Sequence, residues 1–446
     1  MMMFDFLLDP SPLAVTVIMF SSMLLMMVIG APLAWALMVS GMLSAYLMFG
    51  TGGLELLLAA AYSTMDNFIL ISLPLFILMG LILERSGITD DLFDMMYKLM
   101  GFIPGGLGVG TVFICAIIAA MAGVSGAATV SLGLIALPAM LKRGYEKKIV
   151  MGTIMAGGAL GFLIPPSLLM IVYAFLSRDS VGKLFVAGIV PGLLLAGIYI
   201  AYILIRSWLN PQMGPAVPRD ERVSMGDKFK ALRHMLLPVL LVLTVLGCII
   251  FGVTSPSEAS AIGAGGALVV AAVRGRLNRN VLIDVLMSTT KLTGMLIWIA
   301  IAAVFFSRVY IGLGAGMLVS DFIHDSNISP KMIIAMMLLS FFVLGMFLDD
   351  FAIAFITVPI FVPIVSELGF DTIWFAILFV LSMQTAYLTP PFGYNLFYMR
   401  SVAPKHITIY DIYKAAIPFI LLQTLGLIIV FFFPEIALWL PNKLFN

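Results

Sequence analysis

The chain of 446 residues is 62% hydrophobic and only 11% charged, with a mean hydropathy of +1.14, so apolar runs of membrane-spanning length recur from end to end. A formal net charge of +1 leaves no basic face to neutralise a phosphate backbone, which excludes nucleic acid as a partner. His234, His324 and His406 lie far apart near expected membrane edges, with no HExxH, GxSxG or Walker-type context, and Cys115 and Cys248 sit inside apolar runs as packing residues, so no enzyme or metal centre stands out.

The N-terminus, MMMFDFLLDPSP, has acidic residues and no basic segment ahead of its first apolar run, so a cleaved signal peptide is not expected. At about 20 residues per helical crossing, the apolar runs predict spans at 12–29, 32–50, 67–84, 149–176, 184–205, 235–252, 257–273, 291–322, 372–400 and 412–440. Residues 107–141 and 332–366 are too long for one span and too short for two. Each carries a polar interruption near its centre, "AGVSGAAT" (Ala122–Thr129) and "GMFLDDFA" (Gly345–Ala352). Half-helices of ~12–15 residues reach only ~20 Å at 1.5 Å rise per residue, so each segment reads as a re-entrant hairpin that enters and leaves by one side.

Lys and Arg near span ends favour the cytoplasm. The mouth of the first hairpin carries Lys142, Arg143, Lys147 and Lys148, whereas the second is flanked by Asp321, Asp325, Glu367 and Asp371, with Lys331 its lone basic residue. The first mouth is therefore expected inside and the second outside. The basic linker from Arg206 to His234 and the loop with Arg274, Arg276 and Arg279 fall inside, and both termini come out external. In the turn "TSPSEAS", Ser255 is placed to cap a helix, with Pro256 at its first position and Glu258 three residues after the cap.

After each hairpin comes a span with a double proline, "FLIPPS" (Phe162–Ser167) and "YLTPPF" (Tyr387–Phe392). Pro390 less Pro165 gives 225, and Pro363 less Pro138 also gives 225; a trailing helix follows in both copies, with Pro418 less Pro191 giving 227. Five predicted crossings separate the hairpins, an odd number, so the copies are expected to face opposite sides: an all-α polytopic membrane protein with inverted-topology repeats. Interrupted helices in inverted repeats point to a secondary transporter, with solute and ion held near the midplane. Proline removes a backbone donor and disfavours helix in the preceding residue. The freed carbonyls cost several kcal/mol each in lipid, so they are expected inside protein or around a bound cation.

At these residues the chain resembles the large membrane subunit of the tripartite ATP-independent periplasmic (TRAP) transporters, within the ion transporter superfamily. The matching segments are "LPLFILMG" (Leu73–Gly80), "GVSGAATVSLGLIALPAM" (Gly123–Met140), "GGALGFLIPPS" (Gly157–Ser167), "TSPSEASAIGA" (Thr254–Ala264), "LGMFLDDFAI" (Leu344–Ile353) and "LTPPFGYNLF" (Leu388–Phe397). The resemblance implies an elevator-type transporter of the bacterial inner membrane, coupled to co-transported sodium. It also implies a small four-helix membrane subunit as a separate partner, and a periplasmic substrate-binding protein that delivers an organic acid. The alternative is a stand-alone sodium/organic-anion symporter of the same superfamily. On this pattern residues 1–66 are N-terminal scaffold helices, 67–205 the first repeat with hairpin 107–141 and broken helix 149–176, 206–290 a cytoplasmic linker with scaffold helices, and 291–440 the second repeat with hairpin 332–366 and broken helix 372–400.

Carried onto this sequence, the resemblance implies one sodium site at Ser125, Gly126 and Ala127 with Gly161, Ile164 and Pro165. It implies a second at Asp349 and Asp350 with Thr389, Pro390 and Gly393. Ser125, Asp350 and Arg308 are the expected substrate contacts. The chain departs from many relatives in having fewer hydroxyls at the first tip and two adjoining acids at the second, which leaves open whether Asp350 binds sodium, titrates or meets the substrate.

Ionisable groups at bilayer depth are costly and call for a partner. Asp349 is placed to cap the second half-helix, and two adjacent carboxylates repel unless a cation lies nearby. That cation is sodium or Arg308, in "FFSRVYIG"; Arg308 otherwise serves as a substrate ligand or snorkels to an interface. Lys291, Glu84, Arg85 and Arg400, near span ends, are expected as interfacial anchors.

Overall fold

The computed structural model describes residues 12–123, 125–217, 225–314 and 328–445. Among these residues every regular element is a helix. Eight helices there are long and apolar enough to cross a membrane, which makes the chain a multi-pass membrane protein.

The chain opens with α1 (Pro12–Val28) and α2 (Leu33–Phe49), continues through a 3₁₀ turn at Gly50–Leu54 into α3 (Glu55–Met65), and then runs through α4 (Phe68–Arg85) and α5 (Ile88–Met100). The first copy comprises α6 (Gly106–Ala122), α7 (Ser125–Lys142), α8 (Lys147–Ala159), α9 (Leu168–Ser177) and α10 (Val181–Leu209). Between the copies lie α11 (Met225–Ile250), α12 (Pro256–Val273) and α13 (Arg279–Gly312). The second copy has α14 (Pro330–Leu344), α15 (Asp350–Glu367), α16 (Thr372–Leu388), α17 (Tyr394–Val402) and α18 (Ile409–Phe432), and α19 (Glu435–Phe445) closes the chain.

The 225-residue offset carries Ser125 onto Asp350 and Lys147 onto Thr372, the first residues of α7 and α15 and of α8 and α16. The copies also trade partners. Helix α9 packs on α15 while α17 packs on α7, and α18 packs on α8 while α16 packs on α10. Where the copies meet, equivalent positions touch: the rings of Phe162 and Tyr387 stand edge to face with centroids 4.7 Å apart, and Gln384 Nε2 donates to the carbonyl of Ala159 at 2.8 Å. Both pairs differ by 225 in number (387 less 162, 384 less 159).

Both double-proline stretches interrupt their helices. After α8 a 3₁₀ turn at Leu160–Phe162 leads into non-helical residues up to Ser167, and after α16 the chain is non-helical until Tyr394. Both Pro-Pro bonds are cis. Part of the freed main chain is satisfied by protein. Ser167 Oγ donates to the carbonyl of Phe162 at 2.7 Å and accepts from Met170 N–H, so one hydroxyl closes the turn and caps α9. The Leu168 N–H reaches the carbonyl of Gly123 at 3.2 Å, tying this break to the first hairpin tip. In the second break Tyr413 OH donates to the carbonyl of Pro391 at 3.1 Å.

Several boundaries differ from the sequence reading. The hairpin helices have 17, 18, 15 and 18 residues rather than ~12–15, because the breaks between them are short, so each reaches about 23–27 Å at 1.5 Å per residue. The run 291–322 is instead α13, 34 residues long, which starts where Asn278 accepts from the Val281 N–H; 315–322 lie outside the described residues, as do Asp321, His324 and Asp325. Lys291 therefore sits well inside a helix rather than at a span end. The run 412–440 divides into α18 and α19 at Pro434. Two helices, α3 and α5, were not expected; α5 buries Leu92, Met95 and Met96 on one stripe. The Ser255 capping box forms as read, with Glu258 accepting from the Ser255 N–H at 2.7 Å.

Ser167→Ala is expected to lower unfolding stability by about 1–2 kcal/mol, the usual cost of a lost cap combined with an orphaned carbonyl. A denaturant titration of the detergent-solubilised protein reads this as a lower midpoint with unchanged slope.

Candidate functional site

The break at Gly123 takes a left-handed φ of 67°, which glycine adopts without steric cost, and α7 starts two residues later. In the second copy Asp349 Oδ1 accepts from the Ala352 N–H at 2.9 Å, capping α15 as the sequence suggested. The starts of α7 and α15 border one cavity of about 510 Å³, to which Ser125, Gly126 and Ala127 contribute from one tip and Asp349, Asp350 and Phe351 from the other. Phe162, Tyr387, Tyr394 and Tyr398 form an aromatic wall, and Glu84 stands on a further side.

The two tips are held by polar contacts from the second copy. Ser125 Oγ donates to Asn395 Oδ1 at 2.8 Å, and Asn395 Nδ2 donates to the carbonyl of Met155 at 3.0 Å. Ser125 and Asn395 are fully buried, so α17 clamps both the first tip and the helix before the first break. Tyr387 OH donates to Asp350 Oδ1 at 2.5 Å. The other oxygen, Oδ2, has no hydrogen-bond partner among the described residues, although Asp350 is only 2% exposed. Such an oxygen is costly to bury bare and suits a cation. Gly126 is required by the ring of Tyr398: a Cβ there would stand 2.8 Å from Tyr398 Cε2.

Of the expected site residues, Ser125, Gly126, Ala127, Asp349 and Asp350 come together around the cavity. Gly161, Ile164 and Pro165 lie in the first break and Thr389, Pro390 and Gly393 in the second, none of them lining the cavity. The Ile164 N–H donates to the carbonyl of Leu160 and Thr389 Oγ1 to that of Thr385. Arg308 is also outside the lining; its guanidinium donates to Ser63 Oγ of α3 at 2.7 Å. Glu84 was expected as an interfacial anchor but lines the cavity and accepts from Ser131 Oγ at 3.3 Å, because α4 packs against the hairpin. Its neighbour Arg85 is exposed and pairs with Asp284 at 3.0 Å. Sequence reasoning missed Asn395 and the three tyrosines. The signal was present in "YLTPPFGYNLFY", where Tyr394 and Tyr398 are four apart on one helix face and Asn395 is a lone amide in an apolar stretch.

Residues 20–436 match the family described as the tripartite ATP-independent periplasmic transporter, DctM component. The chain belongs to this family. This DctM-family permease is 35% identical to the C4-dicarboxylate TRAP transporter large permease protein DctM of Pseudomonas aeruginosa, covering 89% of this chain and 92% of that protein. It is 30% identical to the ectoine TRAP transporter large permease protein TeaC of Halomonas elongata, over 97% of this chain and all of that one (100%). Among solved structures, the YdaH transporter of Alcanivorax borkumensis shares the fold at a TM-score of 0.63 and 16% identity, covering 88% of this chain and 90% of the other.

Asn395→Leu is expected to strand both Ser125 Oγ and the Met155 carbonyl at a cost of about 1–3 kcal/mol for each buried group left unpaired. The checks are a lower thermal midpoint in detergent and faster maleimide labelling of a cysteine placed at Ala127, reporting a loosened tip.

Proposed function

We propose that this permease is the transport subunit of a sodium-coupled system that takes up a small organic acid delivered by a periplasmic substrate-binding protein, across the inner membrane of a bacterium. The observation that carries this reading is a cavity of about 510 Å³ bordered by the starts of α7 and α15 at repeat-equivalent positions, with Asp350, one of whose buried oxygens has no hydrogen-bond partner among the described residues, in its lining. Broken helices converging on such a site are the arrangement in which secondary transporters bind ions and solutes.

A paired repeat is supported by the traded helix pairs and by contacts between equivalent positions, since a two-fold axis brings equivalents together, and the odd number of predicted crossings between the hairpins supports its inversion. On this reading 107–141 and 332–366 are re-entrant hairpins, and the repeats 67–205 and 291–440 move as an elevator against the scaffold of 1–66 and 206–290. The first sodium ion is assigned to the tip at Ser125, Gly126 and Ala127 with Gly161, Ile164 and Pro165. The second is assigned to Asp349 and Asp350 with Thr389, Pro390 and Gly393. Relatives named for C4-dicarboxylates, ectoine and sialic acid all handle carboxylate-bearing solutes, which supports an organic acid here. A small four-helix membrane subunit is the partner that membership of the family implies.

Reconstitution with the partner subunit and a loaded binding protein should give uptake that requires an inward sodium gradient. Strong uptake by this chain alone would favour a stand-alone symporter instead. Asp349→Ala and Pro390→Ala should each raise the sodium concentration for half-maximal uptake about tenfold, as expected when about 1.4 kcal/mol of ion binding is lost; an unaltered sodium response would remove the ion assignment.

A further inference from the structure

We infer that the cavity between the tips takes a betaine-type zwitterion, a solute that joins an alkylated or delocalised cation to a carboxylate, in preference to a dianion. The inference rests on the reading above that this cavity holds the transported solute.

The cavity is acidic and aromatic. Glu84, Asp349 and Asp350 line it, and none of its lining residues is Lys, Arg or His among the described residues. Arg85, next to Glu84 in sequence, pairs with Asp284, and Arg308 donates to Ser63. Two bound sodium ions would offset two of the three carboxylates, and a dianion would then bring two negative charges against the third. A cationic group meets the opposite situation. Tyr387 and Tyr394 stack with centroids 5.1 Å apart, Phe162 abuts Tyr387, and Tyr398 lies over Gly126, so ring surface stands beside the acids. Alkylated cations bind such rings through the negative face of the π-system.

The two tips differ in sign, which orients the solute. The first turn of α7 has no acidic residue and lines the cavity with Ser125, Gly126 and Ala127, so the positive helix start favours a carboxylate on this side. The start of α15 is occupied by its own acids, with Asp349 already accepting from Ala352. The carboxylate end thus belongs at the first tip. The cationic end belongs between the tyrosines and Glu84, on the side of the cavity away from the ion assigned to Asp349 and Asp350. At about 510 Å³ the space suits a small organic solute and is far larger than a metal ion needs.

The test is equilibrium binding to the full-length permease in nanodiscs with sodium chloride present, using glycine betaine, carnitine and ectoine against succinate, malate and fumarate. At least one zwitterion should bind tenfold or more tightly than every dicarboxylate. Tyr394→Leu should weaken that binding at least tenfold, and Tyr394→Phe should weaken it much less, because the ring rather than the hydroxyl makes the contact. A dicarboxylate binding as tightly as the best zwitterion, or no saturable binding of any zwitterion, overturns the inference. Sodium-driven uptake of a dicarboxylate would sink this inference and leave the transport reading standing, whereas zwitterion binding without sodium-driven uptake of any solute would do the reverse.

Discussion

The constraint on which the rest of the structure depends is that unwound main chain in an apolar interior must find partners. Each double proline strips helical hydrogen bonds from its neighbourhood, and water is not at hand to replace them. The replacements come from chemically specific side chains: Ser167 for Phe162, Gln384 for Ala159, Asn395 for Met155 and Tyr413 for Pro391. Two of the four cross from the second copy to the first. The break in the first copy draws two of its partners from the second, which binds the copies as one unit.

Equivalent positions have nonetheless taken on different chemistry. Ser125 and Asp350 occupy the same place in their repeats, yet one is a neutral hydroxyl tied to an amide and the other a carboxylate tied to a phenol. One tip then works through partial charges of main chain and hydroxyl, the other through full charge. A cavity shared by two such ends is polar along its length even though both ends arose from one pattern.

Much of this was legible in the chain itself. The 225-residue offset, the breaks at both double prolines and the capping roles of Ser255 and Asp349 follow from local rules of proline, capping and spacing, whereas the site residues of the two tips come only from the family resemblance. What escaped depends on who packs against whom. Glu84 looked like a boundary charge, and only the approach of α4 to the hairpin turns it into a cavity wall. The tyrosines carry no mark in sequence, and they become a wall only when α17 folds across the first tip. The long α13 begins in polar sequence because Asn278 caps it there, beyond any hydropathy signal. Arg308 is drawn to Ser63 on α3, a helix the apolar runs did not reveal.

The amide of Gln384 serves a carbonyl in the opposite half, and Ala159, its counterpart by number, has no side chain with which to return the favour. Two halves that began alike have therefore become obligate complements. A hybrid assembled by joining one half of this chain to the other half of a distant cousin inherits a working seam only if its second half keeps amide donors at 384 and 395, since the acceptors they meet are main-chain carbonyls.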